Sequence, residues 1–182
     1  MSRYLFLVSS ARADGNAERL ARAAAEALPP ASQHWIKLDT LALPPFEDRR
    51  HSGLPYEAPQ GDERTLLEAT LATDHLVFVA PVYWYALPAT AKLYLDYWSA
   101  WLRVPGYDFK SRMAGKALSA VAVISGDEDR EAEPLIGCLR LTAGYMKMDW
   151  RGGLLGHGNR PGDVEEDASA MNAAKRFFGS AA

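Results

Sequence analysis

The fold is decided by the stretch Leu76-Val77-Phe78-Val79-Ala80-Pro81-Val82-Tyr83-Trp84-Tyr85-Ala86-Leu87-Pro88. Its first five residues are apolar, which predicts a short strand buried on both faces, as in a parallel sheet. An aromatic-rich helical pattern runs from Leu87 to Leu102, with Pro88 in its first turn, where a proline costs little. The loop 81–88 therefore leaves the carboxyl end of a strand, where open α/β sheets bind ligands. Its prolines and three consecutive aromatic residues suit a planar heteroaromatic ligand better than a sugar or a metal.

Strands and helices alternate along the rest of the chain. Apolar runs predict further strands at residues 4–8, 34–38, 117–124 and 150–155. Helical patterns predict one helix after Asn16, a second over residues 62–73 and a third after Pro134. A fourth is predicted near the C-terminus, with Asp163 as its N-cap and Glu166 three residues later. The proline-rich segment 41–61 is long for a loop in a compact domain and is expected to be functional or disordered. This alternation predicts a single domain over 1–182, an α/β three-layer sandwich with about five parallel strands and helices on both faces.

Composition excludes several classes of protein. The chain has 182 residues and a net charge of −3, which argues against a nucleic-acid surface. No run is long and apolar enough to span a bilayer, and the N-terminus lacks the pattern of a secretory signal. The one cysteine, Cys138, excludes an internal disulfide and fits a reducing compartment. We therefore expect a cytoplasmic protein.

The loop after the first strand is a candidate anion site. Ser9, Ser10, Arg12, Gly15 and Asn16 lie between a buried strand and the start of a helix. Backbone N–H groups are unpaired at a helix N-terminus, and the helix dipole favours an anion there. The hydroxyls, the amide and the guanidinium can complete a phosphate cradle, although the sequence matches neither a Walker loop nor Gly-x-Gly-x-x-Gly. A capped helix start with one solvated arginine is the equally weighted alternative.

The two loops fit one ligand if the strand order is 2-1-3-4-5. The first and third strands are then neighbours, and their loops form the crevice that holds a flavin in this topology. Phosphate in the first loop and a flat ring on the aromatic loop describe FMN. Ser125 and Gly126, which follow the fourth strand, make a third wall, with glycine permitting close approach of the backbone.

With these segments the chain resembles the flavodoxin-like NAD(P)H-dependent FMN reductases and quinone reductases. The resemblance rests on residues 9–20, Leu38-Asp39, Leu43-Pro44-Pro45-Phe46 and 74–96, and it extends at lower quality over nearly the whole chain. It implies that the flavin is held by Ser10, Arg12, Gly15, Asn16, Ala17, Pro81, Val82, Tyr83, Trp84, Ser125 and Gly126. Two positions depart from the family pattern. Ala17 stands where threonine or serine is common, and Tyr97 stands where arginine is frequent.

The resemblance also implies an activity. A hydride passes from NADH or NADPH through FMN to a quinone-like, nitro or azo acceptor in a ping-pong cycle, so no acid or base residue is assigned. A flavodoxin-type electron carrier that takes no nicotinamide, and a non-catalytic interaction module of the same fold, remain alternatives. Members of the family often complete the pocket with a second subunit, so a homodimer or homotetramer is expected.

Other chemically suggestive residues have simpler explanations. Cys138 lies on the apolar face of its helix and is expected to be a structural thiol. The four histidines lack metal-ligand spacing, and no metal is expected, although His157 can reach the ligand crevice from the last strand. At least one of Tyr83, Trp84 and Tyr85 is expected to pack into the core.

Overall fold

Five parallel strands form the sheet of this protein. The computed structural model describes residues 2–179. The strands lie in the order β2-β1-β3-β4-β5, as predicted. Their bounds are β1 (Tyr4–Val8), β2 (Gln33–Lys37), β3 (His75–Pro81), β4 (Ala117–Ile124) and β5 (Asp149–His157). The predicted strands lie within one residue of these bounds, except at β5, which continues to His157. Its register with β4 shifts between Trp150 and Gly153, where Gly152 has a φ of 97°, and the pairing then resumes and runs to His157.

Six α-helices cover the two faces of the sheet within residues 2–179. They are α1 (Asn16–Ala25), α2 (Gly61–Ala72), α3 (Ala89–Trp101), α4 (Phe109–Met113), α5 (Glu133–Met146) and α6 (Ala168–Phe177). One apolar cluster joins α1 and α6 to one face of the sheet, and a second joins α2, α3 and α5 to the other. None of the helices is long and apolar enough to cross a membrane.

The central strand β3 shows why the sheet is buried on both sides. It pairs with β1 and β4, and its side chains alternate between the two apolar clusters. Leu76, Phe78 and Ala80 contribute to the cluster under α3, whereas Val77 and Val79 contribute to the cluster under α1. A continuous apolar run is therefore what this position requires, because neither face is open to solvent.

The start of the last helix differs from the prediction. Residues Asp163–Glu165 form a single 3-10 turn, and α6 begins at Ala168 with Asp167 as its cap, whose carboxylate accepts the N–H of Ala170 at 2.9 Å. The carboxylate of Asp163 instead accepts the N–H groups of Asn159 and Arg160 at 3.1 and 2.6 Å. Asp163 therefore cannot cap a helix, because its side chain is committed to the turn that precedes it.

The aromatic helix α3 is largely packed inward. Tyr94 and Trp101 are completely buried, and the Tyr94 hydroxyl lies 2.8 Å from the hydroxyl of Thr70 in α2. Pro88 is the residue that precedes the helix and does not lie in its first turn. A shallow apolar groove remains between α3 and α5, where Leu141 and Tyr145 are exposed.

Candidate functional site

The loop after β1 gives α1 an open N-terminus. Gly15 precedes the helix in extended conformation, and no side chain caps the first turn. The N–H groups of that turn are therefore available to a ligand, and the helix dipole favours an anionic one. A glycine is required at this position, since a Cβ on Gly15 would lie 2.6 Å from the Oγ of Ser10.

The two serines of this loop have different roles. The Ser9 hydroxyl donates to the carbonyl oxygen of Val79 at 3.0 Å and so joins β1 to β3 inside the sheet. It does not line the crevice, which corrects the expectation that it contributes to a phosphate cradle. The Ser10 hydroxyl does line the crevice, where its oxygen accepts the N–H of Arg12 at 3.2 Å.

Asn16 and Arg12 are tied to the loop that follows β5. The Asn16 amide donates to the carbonyl of Arg160 at 2.9 Å, and its oxygen accepts the N–H of Gly162 at 2.9 Å. The Arg12 guanidinium donates to the carbonyl of Asn159 at 3.2 Å. Both polar atoms of the Asn16 side chain thus bond to the protein itself, which fixes the orientation of the amide and leaves the backbone N–H of Asn16 facing the helix start.

The loop after β3 forms an exposed aromatic turn. The N–H of Val82 donates to the carbonyl of Val123 at 2.9 Å, which holds the start of the loop beside β4. Tyr83 and Ala86 exchange backbone hydrogen bonds across a two-residue turn in which Trp84 and Tyr85 have φ of 51° and 64°. These are the angles of a type I′ turn, which normally selects asparagine and glycine.

The rings of this turn face solvent. The exposed fractions of Tyr83, Trp84 and Tyr85 are 43%, 92% and 55%. The expectation that at least one of them packs into the core is therefore wrong. A tight two-residue turn places both central side chains outside the sheet, so their aromatic surface remains free to contact a ligand or another chain.

The loop after β4 contributes one of its two predicted residues to the crevice. Ser125 is exposed and lines it. Gly126 is not among the lining residues, and a Cβ there would lie 2.2 Å from a carboxylate oxygen of Glu131, the end of a flexible side chain.

The end of β5 supplies walls that the sequence did not predict. Gly158 and Asn159 line the crevice, and a Cβ on Gly158 would lie 2.8 Å from the Asn16 amide nitrogen. Gly156 and Gly158, which flank His157, were the one sequence feature that could have predicted this close approach of the loop to α1.

His157 itself turns away from the crevice toward two carboxylates. Its Nδ1 lies 3.2 Å from Asp167, and its Nε2 lies 3.1 Å from Asp129 without the alignment of a hydrogen bond. Burial opposes ionisation of Asp167, but hydrogen bonds from the N–H groups of Ala170 and His157 and from the His157 ring outweigh it and lower its pKa. His157 is therefore a structural contact between the last two loops.

These loops enclose one crevice of about 120 Å³ at the carboxyl edge of the sheet. Nine of the eleven predicted residues line it: Ser10, Arg12, Gly15, Asn16, Ala17, Pro81, Val82, Tyr83 and Ser125. Trp84 and Gly126 are near in sequence but are not part of its wall. Arg12 is the one charged side chain among the lining residues, in a protein with net charge −3. Positive charge and free helix N–H groups are features that favour binding of an anion.

Comparison with known proteins assigns the chain to a family. The profile of a family described as having the flavodoxin-like fold matches residues 2–178. The protein belongs to this family. A Bacillus subtilis protein described as an NAD(P)H-dependent FMN-containing oxidoreductase, YwqN, is 35% identical over 168 residues, which cover 92% of this chain and 91% of the relative.

Solved structures share the fold of this flavodoxin-like protein. The Trp repressor binding protein of Bacillus subtilis has a TM-score of 0.78 at 27% identity, with 99% of this chain and 100% of that chain covered. An NADPH-quinone reductase of P. pentosaceus has a TM-score of 0.66 at 16% identity, with both chains fully covered.

Proposed function

We propose that the protein is an FMN-dependent oxidoreductase that passes a hydride from NAD(P)H to a small planar acceptor. The observation that carries this proposal is the convergence of two distant loops, one anion-binding and one aromatic, on a single crevice. The 35% identical relative, described as NAD(P)H-dependent and FMN-containing, supports the same cofactor and activity.

The residues of the crevice fit the phosphate of FMN. The backbone N–H groups of Asn16 and Ala17, in the uncapped first turn of α1, and the Ser10 hydroxyl would bind it, while Arg12 supplies positive charge. Ala17 has no hydroxyl, so this cradle has one donor fewer than a threonine would give. The residues Pro81, Val82, Tyr83 and Trp84 and the loop of Ser125 and Gly126 would then border the flavin ring.

The size of the crevice indicates how much of the ligand is enclosed. At about 120 Å³ it is below the volume of a typical small-molecule pocket, so it encloses only one end of FMN. The remainder would lie against the exposed rings of Tyr83, Trp84 and Tyr85, open to a planar nicotinamide or acceptor. One open face would serve both in turn, which is the basis for a ping-pong cycle with a quinone-like acceptor.

The chemistry depends on the cofactor more than on acid–base residues. FMN, when bound, would supply the capacity for hydride transfer between NAD(P)H and the acceptor. The lining residues include no histidine, carboxylate or cysteine. The role of this chain is therefore to orient the ring, hold the phosphate and limit the access of water.

A second subunit would complete the pocket beside the aromatic turn. The exposed rings of the turn and the apolar groove between α3 and α5 are two surfaces that a homodimer can bury. We propose a homodimer, or a homotetramer built from it, and a cytoplasmic location.

Anaerobic reduction tests the proposed activity. The FMN-loaded protein is mixed with NADH or NADPH without oxygen, and flavin absorbance near its visible maximum is followed before quinone, azo and nitro acceptors are added. Bleaching by a nicotinamide and recovery on adding an acceptor is the expected result. A flavin that stays oxidised with both nicotinamides would favour the electron-carrier alternative.

A further inference from the structure

A second cavity lies beneath the proline-rich segment, defined here as residues 41–60. It measures about 730 Å³, within the range of small-molecule sites. The segment, the first turn of α2, and Tyr97 and Ala100 of α3 enclose it. None of its lining residues borders the crevice, so it is a separate site from the one proposed above to bind FMN.

The proline-rich segment is fixed although it contains no helix or strand. The Tyr97 hydroxyl donates to the carbonyl of Pro44 at 2.7 Å, and Asp62 accepts the N–H of Ala42 at 2.7 Å. Within the segment, the N–H of Arg49 donates to the Tyr56 hydroxyl at 2.9 Å. The first two bonds attach the start of the segment to α3 and α2, and the third closes its middle on itself.

Three aromatic rings line the cavity. Phe46 and Tyr56 lie nearly parallel, with ring centroids 6.5 Å apart, and Phe46 meets Tyr97 edge-on at 6.0 Å. Such rings bind flat or aliphatic groups, and their faces attract cations through the ring quadrupole.

The charged groups of the cavity are mostly acidic. Four carboxylates line it, Glu47, Glu57, Asp62 and Glu63, together with one guanidinium, Arg49. Arg49 pairs with Glu47 at 2.8 Å and lies 3.9 Å from Glu57, so its positive charge is balanced by carboxylates of the same segment. The resulting negative potential disfavours ligands that carry phosphate or carboxylate, including FMN and the nicotinamide dinucleotides.

Glu63 is the carboxylate positioned to contact a ligand. One of its oxygens accepts the indole N–H of Trp101 at 2.8 Å, which orients the group, and residues 2–179 donate no further hydrogen bond to it. Within the same residues, no group of histidine, cysteine and carboxylate side chains is arranged to hold a metal ion.

We propose that this cavity binds a small organic cation, a protonated amine carried on an aromatic or aliphatic body. The rings of Phe46, Tyr56 and Tyr97 contact the body, and the free oxygen of Glu63 accepts a charge-assisted hydrogen bond from the ammonium group. The aromatic walls supply the apolar contact that distinguishes such a ligand from an inorganic cation.

A matched set of probes tests the charge preference. Benzylammonium, benzyl alcohol and benzoate are titrated into the FMN-loaded, 15N-labelled protein, and the assigned indole N–H signal of Trp101 is followed by NMR. Benzylammonium is expected to shift this signal saturably and to bind about tenfold more tightly than benzyl alcohol. Benzoate is expected to leave the signal in place.

Two variants locate the effect. Glu63→Gln keeps an oxygen for Trp101 but removes the charge, and it should reduce benzylammonium affinity about tenfold while leaving benzyl alcohol unchanged. Glu68→Gln removes a carboxylate from the same helix outside the cavity, where Glu68 pairs with Arg64 at 2.7 Å, and it should change neither affinity.

Equal affinity for benzylammonium and benzyl alcohol would overturn the proposal, as would tight binding of benzoate. An unchanged benzylammonium affinity in Glu63→Gln, with the remaining amide signals matching those of the unsubstituted protein, would also overturn it. The comparison of the three probes needs no variant, so it decides the proposal even if Glu63→Gln does not fold.

Discussion

Asn16 and Arg160, 144 positions apart, are joined by a hydrogen bond of 2.9 Å from the Asn16 amide to the Arg160 carbonyl. The same side chain accepts the N–H of Gly162, so Asn16, at the start of α1, holds the loop after β5 at two points. This loop forms a wall of the crevice through Gly158 and Asn159. The shape of the crevice therefore depends on a contact between the first and last loops of the sheet.

Replacing Asn16 by alanine should affect both stability and cofactor binding. Two hydrogen bonds are lost, which should lower the free energy of unfolding by about 1–2 kcal/mol. FMN affinity should fall several-fold because the loop after β5 loses its attachment. Urea denaturation and FMN fluorescence quenching measure the two effects. Asn172→Ala, at an exposed position of α6, is the matched control, and equal behaviour of the two variants would contradict the role of Asn16.

A methyl group at Gly15 should disrupt the first loop. The Cβ of Gly15→Ala would lie 2.6 Å from the Ser10 oxygen, so we expect a loss of about 1–3 kcal/mol in stability and weaker FMN binding. Adding Ser10→Ala should restore part of the stability, since the oxygen is removed. Gly137→Ala, in α5 with open space around its Cβ, should instead be neutral or stabilising. A Gly15→Ala protein as stable as the unsubstituted one would be inconsistent with the packing described.

The aromatic turn should lower the stability of the fold while contributing to FMN binding. Trp84 and Tyr85 both have positive φ, which costs each residue about 1 kcal/mol relative to asparagine or glycine. The double variant Trp84→Asn, Tyr85→Gly should therefore raise the urea midpoint. It should also weaken FMN binding and slow acceptor reduction, because the flat surfaces are lost. No gain in stability would show that the turn is not strained, and unchanged FMN affinity would remove these rings from the site.

His75 should make stability depend on pH. Burial lowers the pKa of His75 to about 4, with a further contribution from the charge of Arg151, and its Nε2 lies 2.8 Å from the Ser119 hydroxyl. In the unfolded chain His75 has the ordinary histidine pKa of about 6.5, so between pH 6.5 and 4 the unfolded chain binds a proton that the folded protein does not bind. Stability is thus full above pH 6.5 and falls as the pH drops toward 4. Between pH 7.5 and 5 the loss should be about 2 kcal/mol.

Urea denaturation of the unsubstituted protein and His75→Gln at both pH values measures this dependence. The variant should lose about 2 kcal/mol less than the unsubstituted protein over the same interval. His51→Gln, at an exposed position, should behave like the unsubstituted protein. Equal losses in the protein and in His75→Gln would show that another group controls the pH dependence.

Local patterns were sufficient to predict the sheet but not all of the site. Apolar runs such as 76–80 specify buried strands within a few residues, and the alternation of strands and helices specifies a parallel sheet. The strand order was predicted from the flavodoxin-type topology and not from the alternation. The orientation of Ser9 could not be predicted, because it depends on the neighbouring carbonyl of Val79 in another strand. The helix cap was misplaced for a similar reason, since Asp163 is committed to the N–H groups of Asn159 and Arg160.

The wall formed by Gly158 and Asn159 could be recognised only from the tertiary structure. It exists because β5 lies beside β4 and its final loop reaches back to α1. The exposure of Trp84 and Tyr85 likewise follows from the geometry of a two-residue turn and not from their apolar composition.

The most direct test of the central claim is a comparison of FMN and riboflavin in fluorescence titrations of the purified protein. The proposed phosphate cradle at Ser10, Arg12 and the start of α1 predicts that the fluorescence of FMN is quenched on binding, with one FMN bound per chain. Riboflavin, which lacks the phosphate, should bind at least about a hundredfold more weakly. Equal affinity for the two flavins, or no quenching by either, would contradict the account.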